Sequence, residues 1–153
     1  MEVKYYEDFE VGAEEEFLGS YRMTKEEIIE VGRRWDPQPF HVDEEAARDS
    51  VFGELVAASA HIFAVSSWMA TQMPRKTAAI AALGFDELRM HHPARVGDLL
   101  SAVSTCLTKR VSRSKPDRGI VQTHMTLKNQ RDEPVMSVKS TFIVARRSAG
   151  SSA

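Results

Sequence analysis

Between Val56 and Gln72 the chain carries no Asp, Glu, Lys or Arg. The run Leu55–Met73, closed by Pro74, is built almost entirely from apolar and small residues. A helix that sits on a surface needs one polar side, and this stretch has no charged face. The composition therefore predicts a buried helix over Leu55–Met73, whose many small residues let other backbone approach from several sides. A bilayer span needs roughly 20 apolar residues, so the run is marginal as a membrane segment, and the rest of the chain reads as that of a soluble protein.

From residue 78 onward the apolar period shortens to two. Leu99, Val103 and Leu107 are expected on one face, then Val121, Met125 and Leu127, then Met136, Val138, Phe142 and Val144. This is the pattern of half-buried antiparallel strands, with connections over Ser112–Gly119 and Asn129–Pro134. Upstream, Glu15–Tyr21 reads as a short strand. Thr24-Lys25-Glu26-Glu27 is a capping box that opens a helix, and that helix stops by Trp35 because Asp36 precedes a proline. Asp43 is placed to cap a shorter helix through Arg48. Helix early and strands late is an α+β pattern: one long central helix wrapped by a curved antiparallel sheet. At 153 residues the chain suits a single domain, taken as residues 1–147, with a small polar tail over 148–153 expected to be disordered.

Charge narrows the function. A net charge of -2 gives no basic excess to hold nucleic acid or an anionic membrane. The first residues are acidic, unlike a targeting leader. Cys106 is the only cysteine, so no internal disulfide forms. The expected compartment is the cytoplasm.

Chemistry concentrates in Asp36-Pro37-Gln38-Pro39-Phe40-His41. Each proline fixes its own φ and disfavours helical backbone in the residue before it. A carboxyl and an imidazole are thus expected on a stiff, non-helical segment that holds them at a fixed separation. A plainer reading is open: Asp-Pro also begins helices, with Asp36 as a cap and His41 an ordinary histidine.

This segment, with Val42-Asp43-Glu44-Glu45-Ala46 after it, resembles the signature of the MaoC-like dehydratases, the R-specific enoyl-CoA hydratases of the hot-dog fold. Phe52–His61 looks like the family's second block, and so do Gly84–Arg89 and Pro93-x-x-x-Gly97-Asp98. The likeness runs from about Tyr6 to Arg147. It implies a single hot-dog domain that pairs into a homodimer or higher homo-oligomer. It further implies reversible addition of water to a trans-2-enoyl-CoA, giving the R-3-hydroxyacyl-CoA. Asp36 and His41 would activate the water. The amides at the start of the long helix, near Ser59 and Ala60, would stabilise the thioester oxyanion. Ser59 stands where the family generally has Gly, and as a good N-cap its alternative role is purely structural. Gln38 stands where Asn is commoner, and it is counted with the substrate-binding residues.

Coenzyme A would enter only as part of the substrate, with no separate cofactor. Arg113, Lys115 and Arg118, in a basic stretch, are candidate contacts for its phosphates; a solvated hairpin tip is the alternative. His61 reads as a hydrogen-bonded core histidine. His91 and His92, adjacent on a strand, point to opposite faces, so no metal is expected. Two other readings of the fold stay open: an acyl-CoA thioesterase, and a non-catalytic acyl-thioester binder.

Overall fold

Four long strands form the body of the protein: β5 (Ala79–Met90), β6 (Leu99–Val111), β7 (Arg118–Lys128) and β8 (Pro134–Ala145). The computed structural model describes residues 2–148, so the tail expected to be disordered lies, apart from Ser148, outside the described residues. With β2 (Glu14–Glu16) the antiparallel sheet runs β2-β6-β7-β8-β5, and β3 (Tyr21–Arg22) adds to the Leu99 end of β6. The single first strand expected over Glu15–Tyr21 is thus two short ones, parted at Gly19 with φ +78°. Another short pair, β1 (Val3–Lys4) with β4 (Lys76–Thr77), is parallel.

The sheet curves against α4 (Ser59–Met69). This is the central helix, shorter at both ends than the apolar run. Leu55–Ala58 stays extended because its backbone finds partners across the fold. Val56 bridges Arg95, and the Ala57 amide donates to the Ala94 carbonyl at 2.9 Å. Only one side of α4 is buried, through His61, Ile62, Val65, Ser66 and Met69; Ser59, Ala60, Ala64, Ser67 and Trp68 are exposed. One chain therefore wraps half of its central helix.

The inward faces of β7 and β8 follow the expected residues. On β6 the buried set is Leu100, Ala102 and Cys106, while Leu99, Val103 and Leu107 are only half-buried. The face expected to be the core is the outer one. The far end of the sheet is covered by the N-terminal segment, where Tyr6 packs so tightly on Gly119 that a Cβ there would meet its ring at 2.2 Å.

The helix α1 (Lys25–Trp35) starts and stops where expected. Its cap is only half of the box: Thr24 Oγ1 accepts from the Glu27 amide at 3.3 Å. The Glu27 carboxylate turns inward, accepting from the Tyr21 hydroxyl at 2.5 Å and bonding His61 Nε2 at 2.7 Å. This cluster clasps α1 to α4. Burial and the adjacent Glu27 carboxylate push the Tyr21 hydroxyl up to about 12. Burial alone would raise the Glu27 carboxyl, but the bonds from Tyr21 and His61 outweigh it and hold it below its ordinary value. His61, read as a bonded core histidine, is one; its Nδ1 is buried without a partner among the described residues.

Tyrosine in an unfolded chain ionises near pH 10, so the raised folded value makes Tyr21 stabilising below that pH. The contribution is lost as pH climbs toward about 12. Tyr21→Phe is expected to flatten the alkaline limb of a urea-midpoint profile by roughly 1–2 kcal/mol, allowing for partial exposure. An alkaline limb identical to that of the wild type would contradict the clasp.

Candidate functional site

Asp36 is the C-cap of α1, its amide donating to the Gly32 carbonyl at 2.9 Å with φ -155°. Pro37 follows, and the Gln38 amide turns back onto the Asp36 carbonyl at 2.8 Å. The segment is not extended throughout, as the prolines suggested. Pro39 takes the first position of a single helical turn, α2 (Pro39–Val42), where its missing N–H costs nothing. His41 lies on that turn and faces back toward Asp36. A third helix, α3 (Glu44–Arg48), follows at once, capped by Asp43 as expected.

The structure brings the pair together: His41 Nε2 stands 3.5 Å from Asp36 Oδ2. The imidazole is buried, whereas the carboxylate is about a third exposed (37%). On the other side of the ring, His41 Nδ1 lies 2.6 Å from the Val56 carbonyl oxygen. A carbonyl only accepts, so Nδ1 carries the proton and donates to it. In the neutral ring Nε2 is then a bare lone pair facing a carboxylate. Two acceptors opposed in this way suit a molecule that donates two hydrogens, which is what water does.

Gly32 explains how the histidine reaches this place. A Cβ at that position would meet His41 Cβ and O at 3.0 Å and Val42 Cγ1 at 3.1 Å. Only a bare backbone on α1 lets α2 lie so close. The sequence carries one signal for Gly32: a glycine inside a helix costs about 1 kcal/mol and so flags a packing reason. Val56 left no signal at all, because it acts through its carbonyl.

Val56 leads into α4, which places the pair beside that helix's start. Ala58, not Ser59, is the N-cap, and it offers no side-chain hydrogen bond. Ser59 and Ala60 occupy the first turn and are exposed. The first amide with a backbone acceptor in the helix is that of Ile62, which donates to the Ala58 carbonyl at 3.1 Å. The opening amides of α4 are therefore available, with the partial positive charge of a helix start behind them. Gln38 is exposed between the two catalytic candidates.

The basic candidates lie elsewhere. Arg113, Lys115 and Arg118 sit on or beside the β6–β7 connection, at the end of a thirteen-residue strand whose other end adjoins β3. At 3.2–3.4 Å per residue that strand is roughly 40 Å along its contour, and the basic residues lie at the end opposite β3 and α1. Arg118 is paired with Asp117 at 2.8 Å. The histidines on and beside the strands are also dispersed: His91 bonds Ser137 at 2.8 Å, and His92 bonds the Pro134 carbonyl at 3.0 Å. Among the described residues no cluster of three metal-ligating side chains occurs, and no helix is long and apolar enough to cross a membrane.

Comparison with known proteins agrees with this geometry. The family model described as a MaoC like domain matches residues 9–129. Among solved structures, a MaoC-like dehydratase from Rhodospirillum rubrum is similar with TM-score 0.88 and 35% identity, covering 95% of this chain and 99% of that one. An R-hydratase from Pseudomonas aeruginosa is similar with TM-score 0.69 and 24% identity, over 94% of this chain and 86% of that chain. A Mycobacterium tuberculosis protein described as a double hotdog fold matches with TM-score 0.79 and 17% identity, over 98% of this chain and 46% of that chain. No curated protein matches the sequence. A helix against a curved antiparallel sheet, an Asp36/His41 pair beside its start and a family match over most of the length lead to one conclusion: the chain belongs to the MaoC-like domain family and has the hot-dog fold.

Proposed function

We propose that the protein is an acyl-CoA hydratase that adds water reversibly to a trans-2-enoyl-CoA and yields the R-3-hydroxyacyl-CoA. The observation that carries this reading is the bond from His41 Nδ1 to the Val56 carbonyl. It leaves Nε2 free to act as a base opposite Asp36. Water seated against both groups gives a proton to the pair as its oxygen bonds to C3. The C2–C3 π electrons move toward the thioester, whose oxygen takes up negative charge. The open amides near Ser59 and Ala60 stabilise that oxygen as preorganised donors. A proton then passes from the pair to C2, so one water is consumed and the thioester is intact. The balance needs no cofactor beyond the substrate's carrier, and Gln38 borders the substrate.

Each general acid or base contribution is worth roughly 10²–10⁴ in rate. Asp36→Asn and His41→Ala are therefore each expected to lower crotonyl-CoA hydration by at least about a hundredfold, followed as loss of enoyl absorbance. Equal rates in the wild type and both variants would remove the assignment. A free-thiol assay on the same mixtures separates hydration from thioester hydrolysis, because only hydrolysis releases the CoA thiol.

Gly32→Ala tests positioning. The new methyl gains about 1 kcal/mol of helix propensity, which offsets the tight contact with α2, while His41 must shift by a few tenths of an ångström. A 1 Å misplacement can cost about a hundredfold, so activity is expected to fall about tenfold with little change in unfolding midpoint. A midpoint that falls while activity holds would contradict this role.

We further assign the functional unit as a homodimer joined along β5. This strand is twelve residues long, ends the sheet and exposes Ile80, Leu83, Phe85, Leu88 and Met90. A long apolar edge is a template for strand pairing. Antiparallel pairing of two such edges brings the Arg113 end of one copy to the Asp36 end of the other. Arg113, Lys115 and Arg118 then serve coenzyme A phosphates only across copies. Leu83→Lys is expected to convert the dimer to monomer in sedimentation; a wild type that already sediments as a monomer would sink the assignment.

A further inference from the structure

The inward face of the sheet is not apolar throughout. One cluster of buried side chains lies at the Leu100 and Met136 end, and a second, with Tyr6, Phe9, Cys106, Val121 and Val144, at the far end. Between them is a cavity of about 590 Å³, bounded by Phe63, Ser66 and Ser67 of α4, by Ala70 just past its end, and by β5–β8. Its volume is that of a small-molecule site.

Strand register sets a polar row across this cavity. Cys106 pairs with Thr123, Thr123 with Ser140, and Ser140 with Phe85. Ser104 lies two residues before Cys106, on the same face. The Ser66 hydroxyl donates to the Phe63 carbonyl at 2.5 Å. Those of Ser104, Thr123 and Ser140 bond no described residue. All three residues are half-buried and line the cavity, so these hydroxyls are open to it rather than sealed in the core. Three open hydroxyls in one cavity wall offer hydrogen-bond partners to an occupant that carries an oxygen.

Helical geometry connects the cavity to the opening amides of α4. Ser59, Phe63, Ser67 and Ala70 fall on one stripe of the helix. Along it Phe63 lies about 6 Å and Ser67 about 12 Å beyond Ser59. Phe63 meets Phe85 edge-on at 5.0 Å, so the hydroxyl row, which ends on Phe85, faces this second turn. A thioester held at the first turn would direct its chain along the stripe toward that row.

Charge refines the occupant. The cavity is also bordered by Lys4 and Arg75, together with Asp8, Glu10 and Glu15. Both cations are engaged, Lys4 with Glu15 at 2.5 Å and Arg75 with Glu2 at 3.5 Å and Asp8 at 3.8 Å. Neither bordering cation is free, so an anionic tail would give up its hydration without gaining an unpaired counter-charge.

We propose that this cavity receives the distal part of the acyl group and, through Thr123 and Ser140, selects a chain bearing a neutral hydrogen-bonding oxygen, a hydroxyl or keto group. Plain alkyl and carboxylate-ended chains bind less well. The proposal rests on the hydratase reading, in that it places the thioester at the start of α4.

The test is calorimetric binding of three saturated thioesters of equal length: octanoyl-CoA, 8-hydroxyoctanoyl-CoA and the carboxyl-ended eight-carbon analogue. One added neutral hydrogen bond predicts about fivefold tighter binding of the hydroxylated ligand than of octanoyl-CoA, with the carboxylated ligand weakest. Thr123→Val and Ser140→Ala, two independent small changes, should each bring the ratio of the first two dissociation constants toward one. Equal binding of those two by the wild type, tightest binding of the carboxylate, a ratio unmoved in both variants, or no binding of any ligand would overturn the proposal. None of these ligands has a double bond to hydrate. Failure here therefore leaves the crotonyl-CoA result standing, and failure of hydration leaves this ratio measurable.

Discussion

One hydrogen bond, from the His41 ring to the Val56 carbonyl, governs the geometry of the site. It fixes which ring nitrogen carries the proton, joins α2 to the chain entering α4, and turns the free nitrogen toward Asp36. Around it the backbone is organised for close approach. Gly32 removes a side chain between α1 and α2, and the Val56 amide donates back to the Phe40 carbonyl at 3.2 Å. The carboxylate needs no comparable support, since it ends α1 where the following proline stops the helix. A rigid pair follows from a cap, a proline and a glycine, with little contributed by charge.

Local rules in the sequence located the features that depend on near neighbours. Thr24, Asp36-Pro37 and Asp43 each mark a helix boundary through a bond or clash within a few residues, and each boundary is where it was read. Features set by distant partners were less legible. Residues 55–58 are as apolar as those after them, and only their bonds to Ala94 and Arg95 keep them extended. On β6 both faces are partly covered, so Leu99, Val103 and Leu107 looked like core although the smaller Ala102 and Cys106 point inward beside Leu100.

The candidate site divides in the same way. The Asp36/His41 motif is compact in sequence and therefore visible there. Glu27 was visible only as half of a capping box, because its true partners, Tyr21 and His61, are brought in by β3 and α4. Arg113, Lys115 and Arg118 are basic in any reading, yet the strand that carries them places them at the opposite end of the sheet. Charge alone gives the type of partner; topology decides whether the group can reach it.

The alanine at the start of α4 has an evolutionary consequence. Asp or Ser in place of Ala58 would finish the helix internally, a change commonly worth about 1 kcal/mol. On the proposed reading the same side-chain oxygen would compete with the substrate for the amides. Selection for a sturdier fold and selection for turnover thus pull this one residue in opposite directions. On that reading the resting protein is left with an incomplete secondary-structure element that each incoming thioester would complete.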